Sequence, residues 1–470
     1  MISMKKLSRT VLLAAACLLV FSAGTLSAGD DDHDDDKDQG KAFFQSDYPN
    51  SQYPNVYNKY LQPVVTAIDY HTRVIYLFNY ENDGLIIIEP TTIPGWPADL
   101  PLQHTGIMPG ADVFFITTDN TQDHASYVIA ITVNHIDWDA GTADVVVDSV
   151  TAADVPNTPP SLPFVEQVND AQGVPSWIFG RGTQLHGFTL LPNTNYAYVA
   201  EWSADKIHVI DLETNSFAAV SPITIPGYTE QTHGVTFNNS GTLGLGTGYY
   251  FDNSFIDVYE PNRETGDLQV VGQIKLGNEK RQAAFTHYVY WLDERFALTA
   301  SMQFDKTSLT PSTTNKIIPP SVWLLDTHEG TAAKIISHTN HKNGKGVFRS
   351  PSDLTVANGK LYLAEEDSIA PTEEGSFISG KDGYISVWDI TDRYKPKFLK
   401  RLKPGAELPA GYSVAHTISP SADDRYLIIA SWVSGYVLKL DTLTDTIVKV
   451  WGPADGLVMP HGLFSAGSIR

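Results

Sequence analysis

Cysteine is almost absent from this sequence: its 470 residues include one, Cys17. Cys17 lies within an apolar run at 11–21, which follows three basic residues and precedes a stretch of small residues ending at residue 28. This arrangement is typical of a secretory signal peptide, and the run is too short to span a membrane. We expect residues 1–28 to be removed, and the mature chain to have neither disulfides nor thiolate metal ligands.

Basic residues are also scarce. Lysine and arginine total 32 against 54 aspartates and glutamates, which gives a formal net charge of −22. So acidic a chain has no general affinity for nucleic acid or anionic lipid, and its charge suits a protein that is periplasmic or secreted. Residues 29–55 carry an aspartate-rich run around His33, which indicates a disordered acidic tether or, alternatively, weak cation binding.

Long segments with helical periodicity are missing, and so are the motifs of nucleotide binding, dinucleotide binding and serine hydrolysis. The chain instead has 11% aromatic residues, 35 glycines and 28 prolines, a composition that favours strands joined by turns. No stretch of linker composition divides residues 56–470. We therefore predict one all-β domain over that range.

A repeated unit organises the domain. Residues 184–212 contain a strand, a polar turn, a strand of alternating aromatic and small residues, and a third strand that ends in Asp. Such units recur at roughly 40–50 residues, the period of β-propeller blades. Seven segments start the unit, and their equivalent residues are His104, His186, His233, His287, Asp353, His416 and His461.

These restarts predict a seven-bladed β-propeller that is closed by its C-terminal strand. Either 64–68 or 462–466 would be the innermost strand of the first blade. Residues 152–177, rich in proline and polar residues, would form a long loop between blades 2 and 3, and loops of that length are often functional.

Equivalent residues of successive blades converge at one mouth of the central channel, so the six histidines and Asp353 would line that mouth. Neutral imidazole suits copper, iron and zinc, and so many ligands exceed the needs of one tetrahedral ion. The set therefore predicts a metal cluster, or one ion surrounded by further histidines. In the alternative interpretation, the histidines only cap strand ends as part of the repeat.

Charged residues near the same strand ends suggest further roles. Arg181, Arg281 and Arg349 precede three of the seven positions, so they could make the mouth cationic and attract a small anionic substrate. Four acids end the second strands and could orient imidazoles or move protons; they are Glu201, Asp252, Glu365 and Glu366. All these residues could equally be solvated loop residues.

The Tyr-Ala-Tyr-Val-Ala and His-Val-Ile-Asp segments resemble YVTN-repeat propellers, and the ring of histidines resembles the multicopper group that includes the propeller of nitrous oxide reductase and thiocyanate dehydrogenase. The second, cysteine-containing copper domain of nitrous oxide reductase has no counterpart here. The resemblance to thiocyanate dehydrogenase implies a periplasmic, copper-dependent oxidoreductase that acts on a small anion or sulfur compound. His104, His186, His233, His287, Asp353, His416 and His461 would be its ligands, and a periplasmic cytochrome or similar carrier would accept the electrons.

Two other resemblances remain open. His186, His233, His287 and His461 are similar in order to the four histidines that hold one iron in carotenoid-cleaving oxygenases. The chain also resembles metal-free YVTN or lactonase-like propellers that bind a partner or small molecule. Arg181, Arg281, Arg349 and Glu201 are our candidate catalytic residues in the copper enzyme.

Overall fold

A computed structural model describes residues 64–69, 72–97, 107–109, 113–118, 127–153, 166–169, 175–177, 185–201, 206–225, 232–248, 255–278, 281–282, 286–302, 304–305, 317–337, 350–366, 370–372, 375–377, 383–421 and 423–465. The predicted signal peptide at 1–28 and tether at 29–55 lie outside these residues. Among the described residues, no helix has the length and hydrophobicity needed to cross a membrane.

The all-β prediction is confirmed, because seven antiparallel sheets follow one another around a ring. The second strands of the sheets are almost wholly buried, as in Ile75–Asn79, because both of their faces are covered by neighbouring blades. The outer strands alternate instead. Thr446–Trp451 has exposed residues at every second position, as expected for a strand with one face in solvent.

The first half of the chain builds blades 1 to 4. Blades 1 and 2 contain β1 (Val64–Asp69), β2 (Ile75–Asn79), β3 (Leu85–Ile88), β4 (Ile107–Pro109), β5 (Val113–Thr118), β6 (Tyr127–Asp137) and β7 (Thr142–Ala152). Two short strands follow, β8 (Glu166–Asn169) and β9 (Pro175–Trp177). Blades 3 and 4 contain β10 (Leu185–Leu190), β11 (Tyr196–Glu201), β12 (Lys206–Asp211), β13 (Ser216–Phe217), β14 (Ile223–Thr224), β15 (Thr232–Phe237), β16 (Gly244–Gly248), β17 (Phe255–Pro261) and β18 (Leu268–Lys275).

The second half builds blades 5 to 7. Its strands are β19 (Gly277–Asn278), β20 (Arg281–Gln282), β21 (Thr286–Trp291), β22 (Phe296–Ser301), β23 (Phe304–Asp305), β24 (Ile317–Ile318), β25 (Ser321–Asp326), β26 (Thr331–Ser337), β27 (Ser350–Ala357), β28 (Lys360–Glu366), β29 (Ala370–Thr372), β30 (Gly375–Phe377), β31 (Tyr384–Asp389), β32 (Lys397–Leu402), β33 (Ala415–Pro420), β34 (Tyr426–Ser431), β35 (Tyr436–Asp441), β36 (Thr446–Trp451) and β37 (Pro460–Ser465). Blade 5 is β21, β22, β25 and β26; blade 6 is β27, β28, β31 and β32; blade 7 is β33 to β36. Short 3-10 helices cover Pro90–Thr92 and Pro453–Asp455.

The hydrophobic core lies between the blades. Seven clusters of buried side chains each join one blade to the next, so the core forms a ring. Large aromatic residues make several of the contacts: Phe78 of blade 1 lies 5.1 Å from Trp451 of blade 7, and Tyr198 of blade 3 lies 5.0 Å from Phe237 of blade 4. Burial of aromatic surface between blades makes each blade depend on its two neighbours.

The C-terminal strand closes the ring, as predicted. Blade 1 has the order β3-β2-β1-β37, so β37 is its innermost strand and β1 is the second. Asp69, at the end of β1, is buried and holds the incoming chain: its Oδ2 accepts hydrogen bonds from the backbone N–H groups of Val458 and Met459 and from the Tyr76 hydroxyl. These bonds tie the segment before β37 to the first blade.

One end of the propeller carries extra structure. We define the mouth end as the end at which the inner strands start and the second strands finish. Strands β29 and β30 follow β28 at this end, and they form a sheet with β8 and β9 in which β30 and β8 run parallel. Residues 152–177, which we predict to be a loop, therefore contain two strands, β8 and β9. Strand β8 pairs with β30, which lies between β28 and β31 of blade 6.

Candidate functional site

The inner strands begin with an irregularity in their pairing. In blade 4, Thr232 and Gly234 pair with consecutive residues of β16, which leaves His233 as an extra residue. His416 is the extra residue of blade 7 in the same way. Blade 5 also shifts register, between Thr286 and Val289, an interval that contains His287. In blade 1 the shift follows His461, which itself pairs with Ile68. Since a bulge redirects a side chain out of the regular alternation, the bulges turn His233 and His416 away from the blade faces.

Four of the predicted histidines form a continuous row, which we call the histidine row: His233, His287, His416 and His461. Successive ring centroids along it are 4.1, 4.9 and 4.5 Å apart. The rings come from blades 4, 5, 7 and 1, and their exposed fractions lie between 1% and 6%. Side chains that are far apart in the chain therefore meet in one buried array.

Contacts from other blades fix the backbone of the row. The hydroxyl of Thr247 in blade 4 donates to the His287 carbonyl at 2.9 Å, and that of Ser352 in blade 6 donates to the His416 carbonyl at 2.6 Å. In blade 3, Gly187 approaches the His233 carbonyl. The position of each of these imidazoles therefore depends on how two blades pack.

His416 is the best-defined member of the row. Its Nδ1 lies 2.8 Å from Oε2 of Glu366, and its ring centroid lies 5.0 Å from that of Trp432. Glu366 and Trp432 are both buried. Burial lowers the pKa of His416 to about 3, so its imidazole is neutral at physiological pH. A neutral imidazole that donates its Nδ1–H to a carboxylate keeps the lone pair of Nε2, the state that a metal ion requires.

Aromatic residues contact both halves of the row. Tyr288 contacts His287 and His233 edge-on, with ring centroids 4.6 and 5.3 Å apart. Burial, and secondarily the charge of Asp353, raise the pKa of its phenol above the ordinary value, so the hydroxyl stays protonated. Trp432 lies 5.5 Å from His461 as well as 5.0 Å from His416. Neither aromatic residue is among the predicted site residues, although Tyr288 directly follows His287.

Asp353 has a different environment from the histidines. Its Oδ1 accepts the N–H of Leu354 at 2.7 Å and its Oδ2 accepts the N–H of Ile418 at 2.8 Å. The pairing of β27 with β28 makes Ser352, not Asp353, the extra residue of blade 6. Burial raises the pKa of Asp353 to about 7 despite the two amide bonds. The carboxylate therefore links blade 6 to blade 7, and its role as a metal ligand stays a prediction.

Five predicted site residues are described incompletely or not at all. His104, Arg181 and Arg349 lie outside the described residues, and for His186 and Arg281 the structure describes the backbone alone. His186 begins blade 3 and pairs with Ala200, which places its backbone at the mouth end beside blade 4. The proposed roles of all five remain predictions.

The acids that end the second strands are buried, so they are not exposed loop residues where the structure describes them. Glu201 Oε2 lies 2.8 Å from Nε2 of His208, a histidine outside the row that stacks on Phe217. Glu365 accepts a bond from Arg401 at 2.5 Å. Glu366 contacts the histidine row directly, through its bond to His416. Asp252 lies outside the described residues.

The spacing of two of the three pairs in the row matches that of metal-bound imidazoles. Two imidazoles bound to one ion at about 2.0–2.1 Å have ring centres roughly 4.5–5.2 Å apart when their bonds diverge by about 90–110°. The pairs His287–His416 and His416–His461, at 4.9 and 4.5 Å, fall in this range, whereas His233 and His287 are closer, at 4.1 Å. Within the part of the chain that the structure describes, however, no three His, Cys, Asp or Glu side chains are arranged to hold an ion. The row could therefore bind a metal ion only through pairs of imidazole nitrogens.

Solved structures share the fold. A protein of unknown function from Desulfotomaculum acetoxidans DSM 771 has a TM-score of 0.52 at 12% identity, over 84% of this chain and 98% of its own. The periplasmic gluconolactonase PpgL of Pseudomonas aeruginosa has a TM-score of 0.51 at 12% identity, over 85% and 98%. At such identities the likeness shows the propeller fold alone. No family model matches the chain, and no curated protein does.

Proposed function

We propose that the histidine row binds copper and that the protein is an exported oxidoreductase which acts on a small anion or sulfur compound. The observation that supports this most is the array of four buried imidazoles, in which the pairs on either side of His416 have the spacing of metal ligands. Packing of the core alone does not require histidine near the start of the inner strand in four blades. A metal ion bound by neighbouring rings would explain why these positions hold histidine.

The donor set favours copper. Neutral imidazoles suit copper, iron and zinc, but zinc has no redox chemistry, and the mature chain is expected to supply no thiolate. His104, His186 or solvent would complete the coordination of ions that the row holds by pairs. The four-histidine iron alternative omits His416, although His416 lies between His287 and His461 in the row. The presence of this fifth imidazole supports a copper cluster over the mononuclear iron site.

The surroundings of the row would handle a small substrate. Bound copper would accept electrons from the substrate and pass them to an external carrier such as a periplasmic cytochrome. The protonated Tyr288 phenol, whose ring is edge-on to two histidines, would donate a hydrogen bond to a bound anion. Arg181, Arg281 and Arg349 would add positive charge at the mouth end.

A second candidate function is a metal-free binding propeller. It is favoured by the observation that no three donors converge among the described residues, and by the tilted packing of His233 on His287 at 4.1 Å. In that case the row would bind a small polar molecule through imidazole hydrogen bonds.

Metal analysis of protein matured in the periplasm tests the proposal. Elemental mass spectrometry should find two or more copper ions per chain after mild purification. One iron per chain would support the oxygenase alternative instead. Protein that holds no transition metal, even after incubation with Cu(II), would overturn the proposal and leave the binding propeller.

A further inference from the structure

Glu366 and Glu365 are adjacent, buried and yet bound to different partners. Successive residues of a strand face opposite sides, so β28 directs Glu365 to the guanidinium of Arg401 and Glu366 to Nδ1 of His416. The side chains of Arg401 and Glu365 form a buried ion pair, and Arg401 also stacks 3.6 Å from the ring of Tyr384. The negative charge of Glu365 is thus neutralised by Arg401 within the blade.

Glu366 is placed where a carboxylate is costly. It is 2% exposed, and its Oε2 lies 2.8 Å from Nδ1 of the His416 imidazole. Burying a carboxylate is unfavourable unless strong hydrogen bonds compensate it, and such arrangements are concentrated at functional sites. The bond also crosses from blade 6 to blade 7, and blade 6 is the blade whose predicted row position holds Asp353 instead of a histidine.

We infer that Glu366 is a positioning residue, which holds His416 with its proton on Nδ1 and so leaves Nε2 to act as a ligand or hydrogen-bond acceptor in the row. An ionised carboxylate accepts hydrogen bonds but donates none, so the nitrogen that faces it must carry the proton. Trp432, against the face of the same imidazole, restricts its rotation. The use of Nε2 as a copper ligand rests on the proposed function, whereas the tautomer does not.

The tautomer is measurable in metal-free protein. Long-range proton–nitrogen correlation spectra of protein labelled with [15N]histidine distinguish a protonated ring nitrogen from an unprotonated one, and a His416→Asn variant assigns the signal. Wild-type His416 should have a protonated Nδ1 and an unprotonated Nε2. Glu366→Gln should mix or reverse the tautomers, because the amide is able to donate to Nδ1. Glu366→Asp, which keeps an ionised acceptor, should retain the wild-type tautomer in at least part of the molecules.

Copper titration gives the second readout. Glu366→Gln should weaken copper binding by about 10- to 100-fold, the usual effect of removing the partner of a metal-bound histidine. The matched control is Asp257→Asn, which neutralises another buried carboxylate, in β17 and bonded to Gln273, and should leave copper affinity unchanged. If Glu366→Gln fails to fold, Glu366→Asp is titrated instead, with a smaller loss expected.

The possible results separate the two ideas. A wild-type protein that binds no copper overturns the proposed function, but its His416 tautomer still decides the role of Glu366. A proton on Nε2 of His416 in the wild type, which would mean that Glu366 is itself protonated, overturns the inference. So does a Glu366→Gln variant with an unchanged tautomer.

Discussion

Gly187 lies against the backbone carbonyl of His233, close enough that a Cβ atom at position 187 would stand 2.7 Å from that oxygen. Gly187 also has φ of +64°, a conformation that residues with a Cβ disfavour. Position 187 therefore requires glycine both for its close packing and for its backbone conformation. It allows blade 3 to approach the strand that begins the histidine row.

Gly187→Ala should lower the free energy of unfolding by about 2–4 kcal/mol, since left-handed strain adds to a backbone clash. Gly330→Ala is the control, because Gly330 has φ of +61° and a Cβ added there would meet nothing within 4 Å. It should cost about 1 kcal/mol. Urea unfolding of both variants checks this, and equal losses would show that the contact with His233 is unimportant.

Replacement of a row histidine should reduce copper binding without preventing folding. We expect His287→Ala to raise the dissociation constant for Cu(II) at least tenfold, about 1.4 kcal/mol, because it removes a donor from two neighbouring pairs. His328→Ala, at an exposed turn, is the control and should bind copper like the wild type. Calorimetric titration together with circular dichroism measures both properties. Wild-type affinity in His287→Ala would argue against the row as the copper site.

Loss of the Asp69 carboxylate should weaken ring closure. Asp69→Ala leaves the N–H groups of Val458 and Met459 and the hydroxyl of Tyr76 without this acceptor, so we expect a loss of about 2–4 kcal/mol in the free energy of unfolding. Tyr76→Phe removes one donor and should cost only about 1 kcal/mol. Urea unfolding compares them, and protease cleavage near residue 458 should increase in Asp69→Ala alone.

The ion pair of Arg295 with Asp326 predicts a pH-dependent contribution to stability. Nε and Nη2 of Arg295 donate to the two carboxylate oxygens at 2.9 and 2.7 Å, and these bonds hold the pKa of Asp326 below its ordinary value of 3.8. Since the folded pKa is lower than the unfolded one, the contribution is present above pH about 4 and is lost as the pH falls through the depressed pKa.

Asp326→Asn should therefore melt below the wild type at neutral pH, and the difference should shrink in acid. Thermal unfolding between pH about 3 and 8 measures it. Glu329→Gln is the control, because Glu329 is exposed and 3.8 Å from Arg295. It should change the melting temperature little at any pH. A difference for Asp326→Asn that stays constant down to the acid end of this range would contradict the assignment.

The sequence predicts the blades and the proximity of several histidines, because one repeat places histidine near the start of the inner strand in successive blades. The closed ring brings these strand ends together, as the contact between His416 and His461 shows. Asp353 shows the limit of this reasoning. Repeat alignment gives it the position of a histidine, but the bulge of blade 6 falls on Ser352, and a one-residue difference decides which side chain leaves the sheet.

Hydrogen bonds between side chains of different blades are harder to predict than the position of a residue within its own blade. Glu366 ends a second strand and His416 begins the next inner strand, 50 residues later, and their bond depends on the rotation of one blade against the next. Glu201 and Glu366 have similar surroundings in the sequence, yet Glu201 bonds to His208 within its own blade. Sequence periodicity identifies strand ends and leaves these pairings undetermined.

His461 lies on β37, the strand that joins the last blade to the first. Because β1 and β37 are separated by nearly the whole domain, this pairing is a contact of very long range and should form late. A folding chain would thus hold three imidazoles of the array before the fourth docks. Under the proposed function, copper would therefore bind after ring closure, in the compartment where the protein folds.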